Sequence, residues 1–221
     1  MTVAAIVLVP DTAAALSDAD GEPAIRRVAH AAWSGGAIPI VFVSEEVAGP
    51  LADAVADLPV TIARPAAGEP PGIAWFVCGQ RAALAAVAET TAGLLWPFRH
   101  AWIDPETVTS LVEAHGATPD IVVRPAYAGQ AGFPILLPIG LTERLAAQAG
   151  LDGAEAVAAV IAQGVPVRLF ELGDPGIVYD LGSARSSMPG YQGPPGPAAG
   201  PPPEWNADLA AHAQSSGDTS G

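Results

Sequence analysis

Lysine is absent from this chain. All nine cations are arginines, set against 23 acidic residues for a net charge of −14. So acidic a surface repels polyphosphate backbones and anionic headgroups, which argues against nucleic acid and membrane surfaces as partners. Cysteine occurs once, at Cys78. That excludes internal disulfides and a thiolate metal cluster and leaves a buried, inert thiol as its expected role. The histidines, His30, His100, His115 and His212, show no ligand spacing. Half of the residues are hydrophobic, yet no uncharged apolar run approaches the ~20 residues of a membrane span. The opening MTVAAIVLVPD lacks a basic segment and reads as a first strand rather than a signal peptide, so the expected location is cytoplasmic. Walker A, G-x-S-x-G and H-E-x-x-H patterns are missing as well.

The 221 residues suit one α/β domain with a sizeable core. Residues 3–9 form a near-continuous apolar run, the mark of a central parallel strand covered on both faces. A polar loop, residues 10–23, precedes a helix over 24–33, with Ile25, Val28, Ala29 and Ala32 at helical spacing. A strand over 38–43, a weak helix over 47–57 and a strand over 60–63 complete a βαβαβ opening, which favours a parallel sheet. Next come a helix over 73–90, a strand over 93–96, and a helix that starts with Asp104 as N-cap and Pro105 in its first turn. Helices near 141–148 and 154–163, a strand over 165–172 and a last short strand over 176–181 finish the core. We expect a folded domain over residues 1–187. From Met188 the composition turns to unperiodic proline and glycine, and residues 188–221 read as an extended or disordered, solvated tail, with Tyr191 and Trp205 as candidate anchors onto the domain.

The rest is organised around residues 121–137, IVVRPAYAGQAGFPILL. Two apolar strands, Ile121-Val122-Val123 and Ile135-Leu136-Leu137, flank a glycine-rich crossing where backbone approaches a ligand or another strand closely. The spacing of Pro125, Tyr127, Gly129, Gly132, Pro134, Ile135 and Leu136 resembles the P-x-Y-x-G-x-x-G-x-P-[IVL]-L pattern of the MobA-like nucleotidyltransferases. That family includes the molybdenum-cofactor cytidylyl- and guanylyltransferases. Phe133 stands where its members usually carry His. The resemblance spans residues 3–191 and implies a three-layer α/β/α fold with a mostly parallel twisted sheet, like the nucleotide-diphospho-sugar transferases.

It also implies where the chemistry sits. The loop after the first strand would cradle a triphosphate with backbone N–H groups, Arg and Lys. Here Pro10, Asp11 and Gly21 fall in that loop, beside Asp18, Asp20 and Glu22 and without a cation. Arg26 and Arg27 follow on the helix and are expected to face solvent or the sheet edge. A second position would carry a magnesium-binding carboxylate; the matching residue is Arg99, next to His100. Guanidinium cannot ligate Mg²⁺, which takes hard oxygen donors. Arg99 therefore either bridges to the acidic loop or binds a phosphate directly, and the loop's carboxylates favour the bridge. At a third position Asp180 matches, but Gly182 replaces the second metal-binding Asp and Ala184 a proline. A fourth, base-recognising segment starts at Gly72, where Trp75 and Phe76 either stack on a base or pack in the core. Tyr127, Gly129, Gln130, Gly132 and Phe133 would line the acceptor side.

With Asp11, Arg99 and Asp180 expected around one cleft, the sequence points to a divergent family member. Its NTP-dependent transfer would be weakened or lost, and it would act as a binding or partner protein. No cofactor is expected, with Mg²⁺ needed only in an active enzyme. The alternatives are an active enzyme moving NMP from an NTP to a phosphate-bearing molecule such as molybdopterin, and an acidic scaffold. Candidate partners are a nucleotide, a small phosphate-bearing molecule, or a protein bound through the acidic surface or tail.

Overall fold

The computed structural model describes residues 2–193. Strand β1 (Thr2–Leu8) is buried from Val3 onward. Val3, Ala5 and Val7 pack on one side of the sheet with Val28, Phe42 and Leu111, whereas Ala4, Ile6 and Leu8 pack on the other with Phe76, Leu137 and Val157. Both faces being covered, the strand needs no polar alternation.

Helices α1 (Thr12–Ala15) and α2 (Ala24–Ser34) lead to β2 (Ile40–Val43), α3 (Pro50–Ala54) and β3 (Val60–Ala63). Then follow α4 (Ile73–Ala86), β4 (Thr90–Pro97), α5 (Pro105–Ala117), β5 (Val122–Tyr127), β6 (Gln130–Ala131) and β7 (Ile135–Pro138). Helices α6 (Thr142–Ala146) and α7 (Gly153–Ala162) precede the last strand, β8 (Val167–Glu171). The strand order is β3-β2-β1-β4-β7-β5-β6, with β8 paired to β5. β1 runs parallel to β2 and β4, β2 to β3, and β5 to β8; β7 is antiparallel to β4 and β5, and β6 to β5. The sheet is thus mixed and mostly parallel. Helices α2 and α5 cover one face and α4, α6 and α7 the other, giving the three layers expected.

From β1 the chain builds β2 and β3 to one side and β4 to the other. That reversal of strand order opens a crevice at the carboxyl ends of β1 and β4, where open α/β sheets bind ligands.

Several elements differ from the sequence expectation. Residues 176–181 form no strand. Pro175–Ile177 make a single 3-10 turn capped by the Asp174 side chain, which accepts from the Gly176 N–H at 2.8 Å. The helix expected over 47–57 shrinks to α3, because Gly49, at φ +79°, and Pro50 set a late start. The loop of residues 10–23 contains α1. The helix expected to reach residue 90 ends at Ala86, and Thr90 already belongs to a longer β4. Trp75 and Phe76 are core residues; the Trp75 indole N–H donates to the Glu69 carbonyl at 3.0 Å. Cys78 is partly exposed rather than buried. Desolvation and the nearby Glu69 still push its thiol above the usual range, against the pull of Arg81, so it remains a poor nucleophile.

The first residues after 187 are tied to the core. Met188 packs against it, the Tyr191 hydroxyl donates to Glu106 at 2.7 Å, and the Gln192 N–H and the Gly193 carbonyl both pair with Gly173. Partial burial and the Glu106 carboxylate push the Tyr191 hydroxyl well above its usual range. Trp205 lies outside the described residues. No described helix is long and apolar enough to cross a membrane.

Candidate functional site

A cavity of about 310 Å³ opens at the carboxyl ends of β1 and β4. β1 contributes Leu8 and, just beyond it, Pro10; β4 contributes Leu95 and Pro97, followed by Phe98 and Arg99. Gly72 lines it at the start of α4, and Asp152 and Gly153 at the start of α7. The two helix starts touch, since a Cβ on Gly72 would lie 2.8 Å from the Leu151 carbonyl oxygen. Phe133 closes the side towards β7, its ring tilted against His100 with centroids 5.0 Å apart. The walls are otherwise apolar, and Arg99 and Asp152 are the charged residues among them.

Arg99 does not bridge to the acidic loop as the loop's charge led us to expect. Its Nε–H donates to Asp180 Oδ2 at 3.0 Å. The reason is backbone pairing: the Leu181 N–H donates to the Arg99 carbonyl at 2.9 Å, and the Trp102 indole N–H to the Asp180 carbonyl at 3.1 Å. These bonds fix the two segments side by side whatever their side chains. Partial burial pushes the Asp180 carboxyl up, but the Gly182 N–H at 2.8 Å and Arg99 outweigh it and hold the group below the usual carboxylate range. A Cβ on Gly182 would lie 2.9 Å from Asp180 Oδ1 and 3.7 Å from a terminal nitrogen of Arg99. Residues 99, 180 and 182 therefore converge on one corner. Its donor set comprises one carboxylate, one guanidinium without a lone pair, and no side chain at 182. His100 is half-hidden behind this corner, its Nδ1 3.3 Å from the Gly176 carbonyl. Desolvation lowers its pKa, outweighing the Gly176 carbonyl and Asp180.

The loop after β1 folds on itself. Asp11 caps α1, accepting from the Ala14 N–H at 3.0 Å, and Asp18 accepts from the Gly21 N–H at 3.2 Å. The Ala19 and Ala24 N–H groups donate to the Glu22 and Ser17 carbonyls. Pro10 reaches the cavity, whereas Asp11 and Gly21 are engaged in these local turns. Arg26, expected to face solvent or the sheet edge, forms an exposed two-pronged bridge to Asp57, just before the edge strand β3, and also binds the Ala54 carbonyl. Arg27 lies near Glu22 at 3.8 Å and over the Trp102 ring.

The acceptor-side candidates do not share one place. Phe133 lines the main cavity. Tyr127 and Gln130 flank a second hollow of about 260 Å³ with Tyr179. Gly129, at φ +77°, forms the β5–β6 turn and donates its N–H to the Glu171 carboxylate. Gly132 is a packing residue, since a Cβ there would collide with the Ile177 carbonyl. Asp152 escaped the sequence reading. It N-caps α7, accepting from the Glu155 N–H at 2.8 Å. The Asp-x-x-Glu spacing of a capping box marks that helix start in the sequence, but nothing local reveals that it borders a cavity. Among the described residues, no cluster of three or more His, Cys, Asp or Glu side chains is placed to share a metal ion.

A mixed sheet in this order, with a crevice at the β1/β4 reversal, defines a nucleotide-diphospho-sugar transferase-like fold. Within that class the chain belongs to the MobA-like NTP transferase domain family, whose model matches residues 13–167. The match takes in Arg99 and Phe133 and stops short of Asp180. No curated protein sequence matches the chain. Among solved structures it is similar to a nucleotidyl transferase from Methanothermobacter thermautotroptrophicus, at 18% identity and TM-score 0.65, covering 81% of this chain and 92% of that one. It is also similar to 2-C-methyl-D-erythritol 4-phosphate cytidylyltransferase from Thermus thermophilus, at 16% identity and TM-score 0.60, covering 82% and 93%. A third is Rv0371c from Mycobacterium tuberculosis H37Rv, at 18% identity and TM-score 0.57, covering 77% and 88%. At these identities the likeness speaks for the fold.

Proposed function

We propose that this protein is a divergent MobA-like domain that binds a nucleotide or small phosphate-bearing molecule in the β1/β4 cavity, with metal-dependent nucleotidyl transfer weakened or lost. One observation carries the reading: Arg99 and Asp180 neutralise each other where the resemblance implies a magnesium site, and Gly182 supplies no carboxylate. Metal-assisted phosphoryl transfer needs oxygen ligands that position the ion and neutralise the departing charge. The donor set at 99, 180 and 182 does not fit Mg²⁺, and the reading assigns the ion no step. The self-closed acidic loop supports the same view, because its carboxylates repel a triphosphate. In this reading the protein works in the cytoplasm, as a binding protein or beside a partner held through its acidic surface.

Family membership favours a second reading, an active transferase that moves NMP from an NTP to a phosphate-bearing acceptor such as molybdopterin, with metal ligands drawn from Asp11, Asp18, Asp20 or Asp104. Pyrophosphate release with CTP, GTP and ATP, with and without Mg²⁺, separates the two. We expect no release above the protein-free blank and no magnesium-dependent thermal stabilisation by any of the three. Turnover that is lost in Asp11→Ala or Asp180→Ala establishes the second reading instead.

A further inference from the structure

The corner that lacks magnesium ligands is not neutral towards ligands. We propose that Arg99 acts as a built-in cation, receiving the single phosphate of a nucleoside monophosphate directly and without metal. The inference rests on the cavity being the ligand site, as proposed above, and adds the ligand class and the residue that selects it.

Arginine carries five N–H donors in a planar fork. Asp180 takes the one on Nε and thereby fixes the plane of the guanidinium. The terminal nitrogens keep four more, a pair of which matches two oxygens of one phosphate. Glycine at 182 keeps this side of the fork open, since any side chain would start 3.7 Å from a terminal nitrogen. The Arg99 side chain is 49% exposed and lines the cavity, so it is reachable from within.

The remainder of the cavity suits the uncharged part of such a ligand. Phe98 and Phe133 offer aromatic surface, and Leu8, Leu95 and Pro97 add apolar walls. Asp152 spends one carboxylate oxygen on capping α7; the other can accept from a ligand hydroxyl or amino group. The volume, about 310 Å³, lies at the lower end of small-molecule sites, roughly 300–1,000 Å³. It has room for a nucleoside body. Charge disfavours further phosphates. Arg99 already shares its charge with Asp180 and offers a phosphate its terminal N–H donors rather than a free net charge, while each further phosphate adds negative charge near a loop holding Asp11, Asp18, Asp20 and Glu22 with no cation of its own.

Titration calorimetry on the full chain at fixed salt tests this with CMP, GMP and AMP, their triphosphates and their nucleosides, each in EDTA and in Mg²⁺. One monophosphate should bind about tenfold more tightly than its own nucleoside and its own triphosphate, as a charge-assisted pair to phosphate provides. Its affinity should be the same in EDTA as in Mg²⁺. Arg99→Gln should remove about tenfold of that affinity and leave nucleoside binding unchanged. Arg99→Lys, which keeps the charge but not the fork, serves as the second variant should the first fail to fold, and should cost about threefold. If no monophosphate outbinds its nucleoside, or if a folded Arg99 variant binds as tightly as the parent, the inference fails while the reading of lost transfer stands. Magnesium-dependent triphosphate binding with pyrophosphate release overturns both.

Discussion

The loops that leave β1 and β4 begin at neighbouring points of the sheet, joined by the Phe98 N–H to the Leu8 carbonyl, yet they are held in opposite ways. The first is fastened by its own residues: Asp11 to Ala14, Asp18 to Gly21 and Ser17 to Ala24 are all short-range bonds. The second is fastened from afar. Arg99 and Trp102 bond to residues 180 and 181, and the Asp104 N–H donates to Asp174 at 2.8 Å. A locally closed loop keeps its shape but has tied several of its N–H groups into its own turns and contributes no cation from its own residues. A remotely braced loop can present a cation at a fixed place because the brace lies behind it.

Breaking the remote brace should have the largest effect. Asp174 is 1% exposed and accepts from the Asp104 N–H, the Thr107 hydroxyl and the Gly176 N–H. Burial pushes its carboxyl above the usual range, against the pull of those three donors. Asp174→Ala strips all three of their partner, so we expect a loss of about 3 kcal/mol in urea unfolding, at 1–3 kcal/mol per orphaned buried group less what entering water restores. Amide exchange should accelerate at residues 99–104 and 176–182 together. A loss confined to 176–182 would show that the β4 loop does not depend on this brace.

The local loop should respond less. Asp11→Ala removes one N-cap from a four-residue helix. Such caps are worth about 1 kcal/mol, and the short, exposed helix places this one at or below that value. Exchange should rise over residues 12–17 and stay unchanged in β4. An effect on Arg99 or Asp180 would mean that the loops are coupled, contrary to the contrast drawn above.

The same contrast explains what the sequence discloses. Continuous apolar strands, the Asp104-Pro105 helix start and the glycine crossing at 129–132 are signals written in adjacent residues, and the sheet and its layers were legible from them. Residues 176–181 have the composition of a strand, but their conformation is set by Asp174 reaching α5 and by pairing with residues 99 and 102, which no local pattern encodes. Likewise the charge inversion at Arg99 and the gap at Gly182 are visible in the sequence, whereas the partner of Arg99 is not. Composition pointed to the nearby acidic loop; backbone pairing between distant segments delivered Asp180. Asp152 stayed hidden for the same reason, because its place beside the cavity depends on α7 meeting α4.

The smallest effect concerns the cations nearest the first loop, and whether they are free to serve it. Arg26 is committed elsewhere, bound to Asp57 at 2.6 and 3.0 Å. The hydrogen bond from Arg26 is the main reason that the Asp57 carboxyl is lowered to about 2. A carboxyl depressed in the folded state adds stability above its unfolded pKa of ~3.9 and loses it as pH falls through the folded value. The contribution is therefore present at neutral pH and disappears between about pH 4 and about pH 2. Carboxyl NMR should find Asp57 titrating at about 2, and in Arg26→Gln it should return to the ordinary range. The acid limb of the stability curve should flatten correspondingly in Asp57→Asn. An unperturbed Asp57 in the parent would mean that Arg26 is available to turn towards the loop. The contrast between a cation-free loop and a cation-bearing one would then rest on Arg99 alone.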